Sequence, residues 1–216
     1  MMRHLVILLV CGVTVSAEKP SRFAKWEKAI QQFEKQDKAS PPPKNAILFV
    51  GSSSIRLWNL KKSFPDRLTI NRGFGGSTIA DSIHFAPRII LKHEPRVIVL
   101  YAGDNDIARG LSPKQVSDDF RTLANLIHKK LPKTKLAFIA IKPSGKRWKL
   151  ANKIRQANKL IQEQCKAQSH LSYVDIFKPM LGDDGKPRGE LFVKDQLHLN
   201  AKGYQLWAKI LLPHLK

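Results

Sequence analysis

The sequence has few cysteines, few acidic residues and no apolar run of comfortable membrane-spanning length. Cys11 and Cys165 are the only two cysteines among 216 residues. Cys11 lies in a segment that we expect to be removed, so Cys165 has no intramolecular partner and a disulfide framework is excluded. No internal repeat or low-complexity tract is present, and no linker is long enough to separate two domains.

The N-terminus has the pattern of a secretory signal peptide. A basic segment containing Arg3 precedes an apolar stretch, Leu5 to Val15, which is too short to span a bilayer comfortably. A small-residue cleavage site then ends at Ala17. We therefore predict that residues 1–17 are removed between Ala17 and Glu18, and that the mature protein is secreted or periplasmic. A lipoprotein signal that uses Cys11 and an uncleaved anchor are the two alternatives.

Basic residues outnumber acidic ones by a wide margin. The 38 lysines and arginines against 17 aspartates and glutamates give a formal net charge of +21. A field of this sign attracts anions such as phospholipid headgroups, acidic polysaccharides or nucleic acid. Charge alone does not choose among these partners, and solvated lysines explain it equally well. The hydrophobic content of 43% is ample for one globular domain with a core.

Strand-like and helix-like segments alternate along the chain. Apolar runs typical of buried strands occupy residues 46–50, 68–70, 97–101, 136–141 and 171–174. Helical periodicity covers residues 21–39, 79–93, 112–131, 147–169 and 201–212. This alternation predicts an α/β domain of three layers, with a parallel sheet between two layers of helices. Residues 18–43 are assigned to an amphipathic helix and a proline-rich connector, and residues 44–216 to the main domain.

Polar and glycine-rich segments follow the predicted strands. In parallel α/β sheets, ligands bind beyond the carboxyl ends of the strands. The segments found there are Gly51-Ser52-Ser53-Ser54, residues 71–77, residues 102–106 and residues 142–145, with Asp195 and His198 just before the last helix. Each has a structural explanation when taken singly, such as a helix cap or a tight turn. The glycines also lack the spacing of a dinucleotide-binding fingerprint.

Taken together, these segments contain the parts that nucleophilic acyl transfer requires. A serine at the end of a buried strand can be held rigidly at the top of the sheet. A downstream Asp-x-x-His can supply a general base, His198, and the carboxylate that orients it, Asp195. The pattern therefore favours a serine esterase.

The chain resembles the SGNH (GDSL-type) hydrolase superfamily over roughly residues 45–213. Gly51-Ser52-Ser53 corresponds to its first sequence block, and Gly76 corresponds to the glycine of the second. The third block corresponds to Gly103-Asp104-Asn105-Asp106, and Asp195-x-x-His198 to the last. The residues in and around these blocks are most similar to those of a bacterial exported branch, which is akin to the catalytic subunits of platelet-activating-factor acetylhydrolase.

The resemblance implies a fold and a set of catalytic roles. The expected sheet has five parallel strands in the flavodoxin-like order 2-1-3-4-5. Ser53 is the expected nucleophile, with His198 as its base and Asp195 as the orienting acid. The expected oxyanion hole consists of the backbone N–H groups of Ser53 and Gly76 and the side-chain amide of Asn105. No cofactor and no metal are expected.

The chain departs from the family pattern at one place, because Ser52 stands where the usual motif has aspartate. That aspartate is not a member of the catalytic triad, but its replacement leaves Ser54 as an alternative nucleophile. Asp106 is expected to brace the loop that carries Asn105.

The resemblance implies an exported esterase that acts on short-acyl carboxylic esters, either acetyl esters of carbohydrates or lysophospholipid-like substrates. Arg72, Arg147 and Trp148 are candidate substrate contacts, with loop pairing or packing as their alternative roles. The expected partners are a small-molecule or polysaccharide ester and anionic surfaces, with no specific nucleic acid and no stable membrane span after signal cleavage. Two alternatives are a polyanion-binding module on a catalytically weak scaffold and a metal hydrolase that uses Asp104, Asp106 and His198.

Overall fold

A computed structural model describes residues 21–216, so the predicted signal peptide lies outside the described residues. Five strands form one parallel sheet in the order β2-β1-β3-β4-β5. They are β1 (Ile47–Gly51), β2 (Thr69–Gly73), β3 (Val97–Tyr101), β4 (Lys135–Ile139) and β5 (Leu171–Val174). The predicted fold class and strand order are therefore confirmed.

Helices flank the sheet and supply most of its crossover connections. They are α1 (Ala24–Ala39), α2 (Ser53–Arg56), α3 (Leu60–Ser63), α4 (Ile79–Ile89), α5 (Asp104–Ala108), α6 (Pro113–Lys130), α7 (Ala151–Lys166) and α8 (Ala201–Leu211). Within residues 21–216, no helix combines the length and the apolar character that crossing a bilayer requires.

The centre of the sheet forms the core of the molecule. Every residue of β1 and of β3 is buried. Strands that are covered on both faces read as continuous apolar runs, which is why these two were visible in the sequence. Their carboxyl ends are therefore rigid supports for whatever follows them.

Several boundaries differ from the sequence prediction. Strand β2 continues three residues past the predicted end, because Asn71, Arg72 and Gly73 pair in register with β1 although none of them is a large apolar residue. Helix α7 begins at Ala151 rather than at 147, because residues 145–150 form a 3₁₀ segment in which Arg147 has non-helical angles. Helix α4 ends at Ile89 rather than at 93, near Pro87, which cannot donate a helical hydrogen bond.

Helix α1 is fixed to the sheet domain by apolar and ionic contacts. Trp26 and Ile30 are buried in the shared core. Arg88 of α4 forms charge-assisted hydrogen bonds of 2.7–2.8 Å with Glu27 and Glu34 of α1. Because these contacts occur along most of its length, α1 belongs to the same packed unit as the sheet.

Candidate active site

The first strand delivers three consecutive serines to the carboxyl edge of the sheet. At its last residue, Gly51, φ is +135°, and a Cβ there would lie 1.9 Å from the Tyr101 carbonyl oxygen of β3. Only glycine permits so close an approach of two adjacent backbones. The chain then turns abruptly into α2, whose first residue is Ser53.

The three serines lie in different environments. Ser52 and Ser54 are each 1% exposed, whereas Ser53 is partly exposed. The Ser54 hydroxyl lies 3.3 Å from the buried ammonium of Lys142. The Ser53 hydroxyl lies 3.0 Å from His198 Nε2. Ser53 is therefore the serine with both solvent access and a neighbouring base.

His198 and Asp195 complete a hydrogen-bonded chain with Ser53. His198 Nδ1 lies 2.6 Å from Asp195 Oδ2. When Nδ1 carries its proton and donates a hydrogen bond to the carboxylate, Nε2 is left free to accept the serine proton. This is the tautomer that a general base requires.

The Asp195 carboxylate is held by its own loop. Its other oxygen, Oδ1, accepts the backbone N–H groups of Leu197 and His198 at 2.8 and 2.9 Å. The hydrogen bond from the His198 side chain, followed by these backbone donors, lowers the pKa of Asp195 to about 2. The carboxylate therefore stays ionised across the range in which histidines titrate.

Asn105 lies on the other side of the site with its amide oriented by two neighbours. Its Nδ2 donates to the Ser77 carbonyl at 3.0 Å, and its Oδ1 accepts from Arg147 Nη2 at 2.9 Å. Because Arg147 can only donate, it identifies which end of the amide is the oxygen. The NH₂ group retains a second hydrogen for another acceptor.

Two backbone N–H groups near Ser53 are unused within residues 21–216. Neither Ser53 N–H nor Gly76 N–H donates to an acceptor in that part of the chain. Gly76 has φ of +74° and lies in a turn that follows β2, next to the strand that carries Ser53. Unpaired donors at the carboxyl edge of a sheet are available to a developing oxyanion.

A buried ionic network lies beneath these groups. Lys142, 2% exposed, donates to Asp104 Oδ2 at 3.0 Å and to the Tyr101 hydroxyl at 2.9 Å. Arg147 Nη1 is 2.9 Å from the same Asp104 oxygen. Burial opposes the ionisation of Asp104, but Lys142 and Arg147 outweigh it and hold its pKa below the ordinary value. The network therefore ties β3 and the segment after β4 to the start of α5.

Asp106 braces the neighbouring loop. Its Oδ1 accepts the backbone N–H of Ile79, the first residue of α4, at 3.0 Å. Burial raises the pKa of Asp106 to about 7. Among the described residues there is no group of three or more histidine, cysteine, aspartate or glutamate side chains arranged to hold a metal ion.

The three candidate substrate contacts occupy different places. Arg72 is buried and pairs with Asp37 of α1. This position fits the alternative role, in which Arg72 structures its loop, and not a contact with substrate. Arg147 reaches the site, where it bonds to Asn105. Trp148 packs against the core, with the Arg155 guanidinium 5.2 Å from its ring centroid.

Sequence reasoning missed Lys142 and Trp26 as supports of the site. A lysine that directly follows a buried apolar run was the available signal for Lys142, since such a charge needs a buried partner. Trp26 was expected only to pack α1, and nothing local to residue 26 indicates its hydrogen bond to Gly75.

An open parallel sheet with nucleophilic and acid–base side chains at its carboxyl edge is an arrangement suited to hydrolysis. Residues 56–206 match the model of the GDSL-like lipase/acylhydrolase family, and the chain belongs to that family. The protein is therefore an ester-bond hydrolase, and the resemblance found in the sequence is confirmed. The matched range begins three residues after Ser53.

Solved structures with this fold come from several bacteria. A protein from Streptococcus pneumonia, provisionally described as a platelet activating factor, has 22% identity and a TM-score of 0.80, covering 90% of this chain and 94% of its own. A GDSL-like lipase from Bacteroides thetaiotaomicron has 19% identity and a TM-score of 0.74, with coverages of 86% and 96%.

A more distant structural relative has a described activity. A catalytic variant of Axe2, an acetylxylan esterase from Geobacillus stearothermophilus, has 13% identity and a TM-score of 0.66, covering 80% of this chain and 94% of its own. At these identities the likeness concerns the fold. No curated protein matches the sequence.

Proposed function

We propose that the protein is an exported serine esterase that hydrolyses short-acyl carboxylic esters, in particular acetyl esters of carbohydrates or of lysophospholipid-like alcohols. The observation that carries the proposal is the hydrogen-bonded chain of Ser53, His198 and Asp195, with distances of 3.0 and 2.6 Å. The acetylxylan esterase with the same fold supports the carbohydrate ester as a substrate class.

In the acylation half-reaction, Ser53 Oγ attacks the ester carbonyl while His198 Nε2 takes its proton. His198 then returns the proton to the leaving alcohol, and an acyl-serine remains. Asp195 stabilises the imidazolium cation that exists between the two transfers, without itself becoming protonated. Water attacks the acyl-serine in the second half-reaction, and His198 acts as base again.

The tetrahedral intermediate carries an oxyanion that needs hydrogen-bond donors. Three are available: the N–H groups of Ser53 and Gly76, and the second amide hydrogen of Asn105. Removal of one such donor typically costs about 2.7–4 kcal/mol of barrier reduction. Asp104, Lys142 and Arg147 hold the Asn105 loop and do not themselves reach the reacting atoms in this mechanism.

The test is hydrolysis of a panel of p-nitrophenyl esters of increasing acyl length and of acetylated xylo-oligosaccharides. We expect turnover to be highest for acetyl and to disappear in Ser53→Ala. Ser54→Ala should retain turnover, since its hydroxyl faces Lys142 rather than His198. Ser169→Ala, at an exposed turn after α7, is the control for surface serine loss. Equal rates in wild type and Ser53→Ala would contradict the proposal.

Export is proposed on the N-terminal sequence pattern and has its own test. When the full chain is expressed in a Gram-negative host, we expect mature protein in the periplasm or medium. Mass spectrometry should give an N-terminus at Glu18. An intact chain retained in the membrane fraction would instead support the uncleaved anchor.

A further inference from the structure

We propose that Trp26, on the N-terminal helix α1, is a positioning residue that aims the Gly76 N–H into the oxyanion hole. The inference rests on the proposed function, in which that N–H is one of the donors. It assigns to α1, which lies outside the range matched by the family model, a part in catalysis.

The argument begins with one peptide group. Trp26 Nε1 donates to the Gly75 carbonyl oxygen at 2.9 Å. That carbonyl and the Gly76 N–H belong to the same peptide unit, which is planar, so in its trans form they point in opposite directions. A hydrogen bond that fixes the carbonyl on one side therefore fixes the direction of the N–H on the other.

The turn that contains this peptide has a competing conformation. Ser77 N–H donates to the Phe74 carbonyl at 3.3 Å, and Gly76 has φ of +74° at the third position. These are the marks of a type II turn, in which the third residue requires a positive φ. Rotation of the central peptide converts a type II turn into a type I turn. That rotation would turn the Gly76 N–H away from the site and the Gly75 carbonyl towards it.

The indole is itself held firmly. Trp26 is 7% exposed, and its ring packs edge-to-face on Phe74 with centroids 5.8 Å apart. The Lys25 ammonium lies over the ring, 4.0 Å from its centroid. Because water has little access, it cannot readily replace the indole as the donor to Gly75.

A second side chain holds the following peptide. Arg109 Nη2 donates to the Gly76 carbonyl at 2.6 Å, so the carbonyls of both glycines are bonded. Arg109 is exposed and its hydrogen bond competes with water, whereas that of Trp26 is part-buried. A hydrogen bond to a peptide carbonyl also polarises the N–H of the same unit and makes it a better donor. Trp26 thus contributes to both the direction and the strength of the Gly76 donor.

The experiment compares two changes that remove the indole N–H. Trp26→Phe keeps an aromatic ring, and replacement of Trp26 by benzothienylalanine keeps the whole shape of the side chain. We expect kcat for p-nitrophenyl acetate to fall roughly 2- to 12-fold in both, the range for one net hydrogen bond, with KM within about twofold of wild type. Affinity for a trifluoromethyl ketone, whose Ser53 adduct carries an oxyanion, should fall by a similar factor.

Arg88→Gln is the matched control, because it weakens the docking of α1 through Glu27 and Glu34 without touching the indole hydrogen bond. It should lower the melting temperature and leave kcat unchanged. Wild-type kcat in a folded benzothienylalanine variant would overturn the inference, as would an equal loss of kcat in Arg88→Gln. Absence of Ser53-dependent turnover in the wild type would instead reject the proposed function.

Discussion

The acid–base side of the site and its oxyanion side are built in opposite ways. Asp195 and His198 belong to one four-residue segment, and Asp195 takes its backbone donors from that same segment. Asn105 and Gly76 are oriented by side chains that are distant in sequence, Arg147 and Trp26, from separate elements of the fold.

The two sides also differ in exposure. The side chains of His198 and Asp195 are 29% and 47% exposed, so water reaches both. The supports of the oxyanion side, Asp104 and Lys142, are almost fully buried. Donors for an oxyanion act best when their environment is rigid in advance, and the buried network beneath Asn105 supplies that rigidity.

The largest expected loss of activity follows from a substitution on the acid–base side. Asp195→Asn should lower kcat by roughly 10⁴-fold, because an amide in place of the carboxylate no longer fixes the productive His198 tautomer. Steady-state kinetics on an acetyl ester measures this. The control is Asp175→Asn, since Asp175 accepts a backbone N–H two residues on, as Asp195 does, but has no histidine partner. A loss below about tenfold would mean that Asp195 does not orient the base.

A smaller effect is expected when the oxyanion side loses one donor. Asn105→Ala should lower kcat about 10²- to 10³-fold with little change in KM, because the lost hydrogen bond forms in the transition state. The control is Asn152→Ala, on the exposed face of α7, which should leave kcat and KM unchanged. A rise in KM with unchanged kcat would instead make Asn105 a ground-state binding residue.

The smallest effect is on stability, and it comes from Asp106, which bonds to the backbone N–H of Ile79 near the oxyanion side. Burial raises the pKa of Asp106 to about 7, so between pH 4 and 7 the folded protein holds a proton that the unfolded chain releases. Stability should therefore fall as pH rises through this range, by on the order of 3 kcal/mol. The charged neighbours Asp104 and Asp119 add to this rise in the pKa of Asp106, and both remain in place when Asp106 is substituted.

Asp106→Asn cannot ionise and should flatten that slope. Urea unfolding at pH 4, 5.5 and 7 measures it, with Asp183→Asn, at an exposed turn, as the control. A slope that persists unchanged in Asp106→Asn would assign the titration to another group.

The same contrast explains what the sequence revealed. Asp195-x-x-His198 is a local motif, and Ser53 follows a strand that is apolar throughout, so both were visible without coordinates. Gly51 and Gly76 could be recognised in the sequence as the ends of regular elements. That each adopts a positive φ becomes clear only from the surrounding backbone. The sheet order came from the family resemblance rather than from the strand patterns.

The remaining features depend on which distant segments meet. Arg72 was a candidate substrate contact because it lies beside the glycine-rich loop, but its guanidinium pairs with the half-buried Asp37 on α1. Periodicity cannot detect helices as short as α2 and α5, which span four and five residues. The indole bond to Gly75 joins residues 49 positions apart, and no composition or spacing rule anticipates it.

The place of β1 in the sheet has a practical consequence for truncation. A protein expressed only over residues 56–206 would lack the strand that lies between β2 and β3. Two strands would then present unsatisfied main-chain groups, a template for aggregation. Recombinant boundaries should instead begin before Trp26, at the predicted mature terminus.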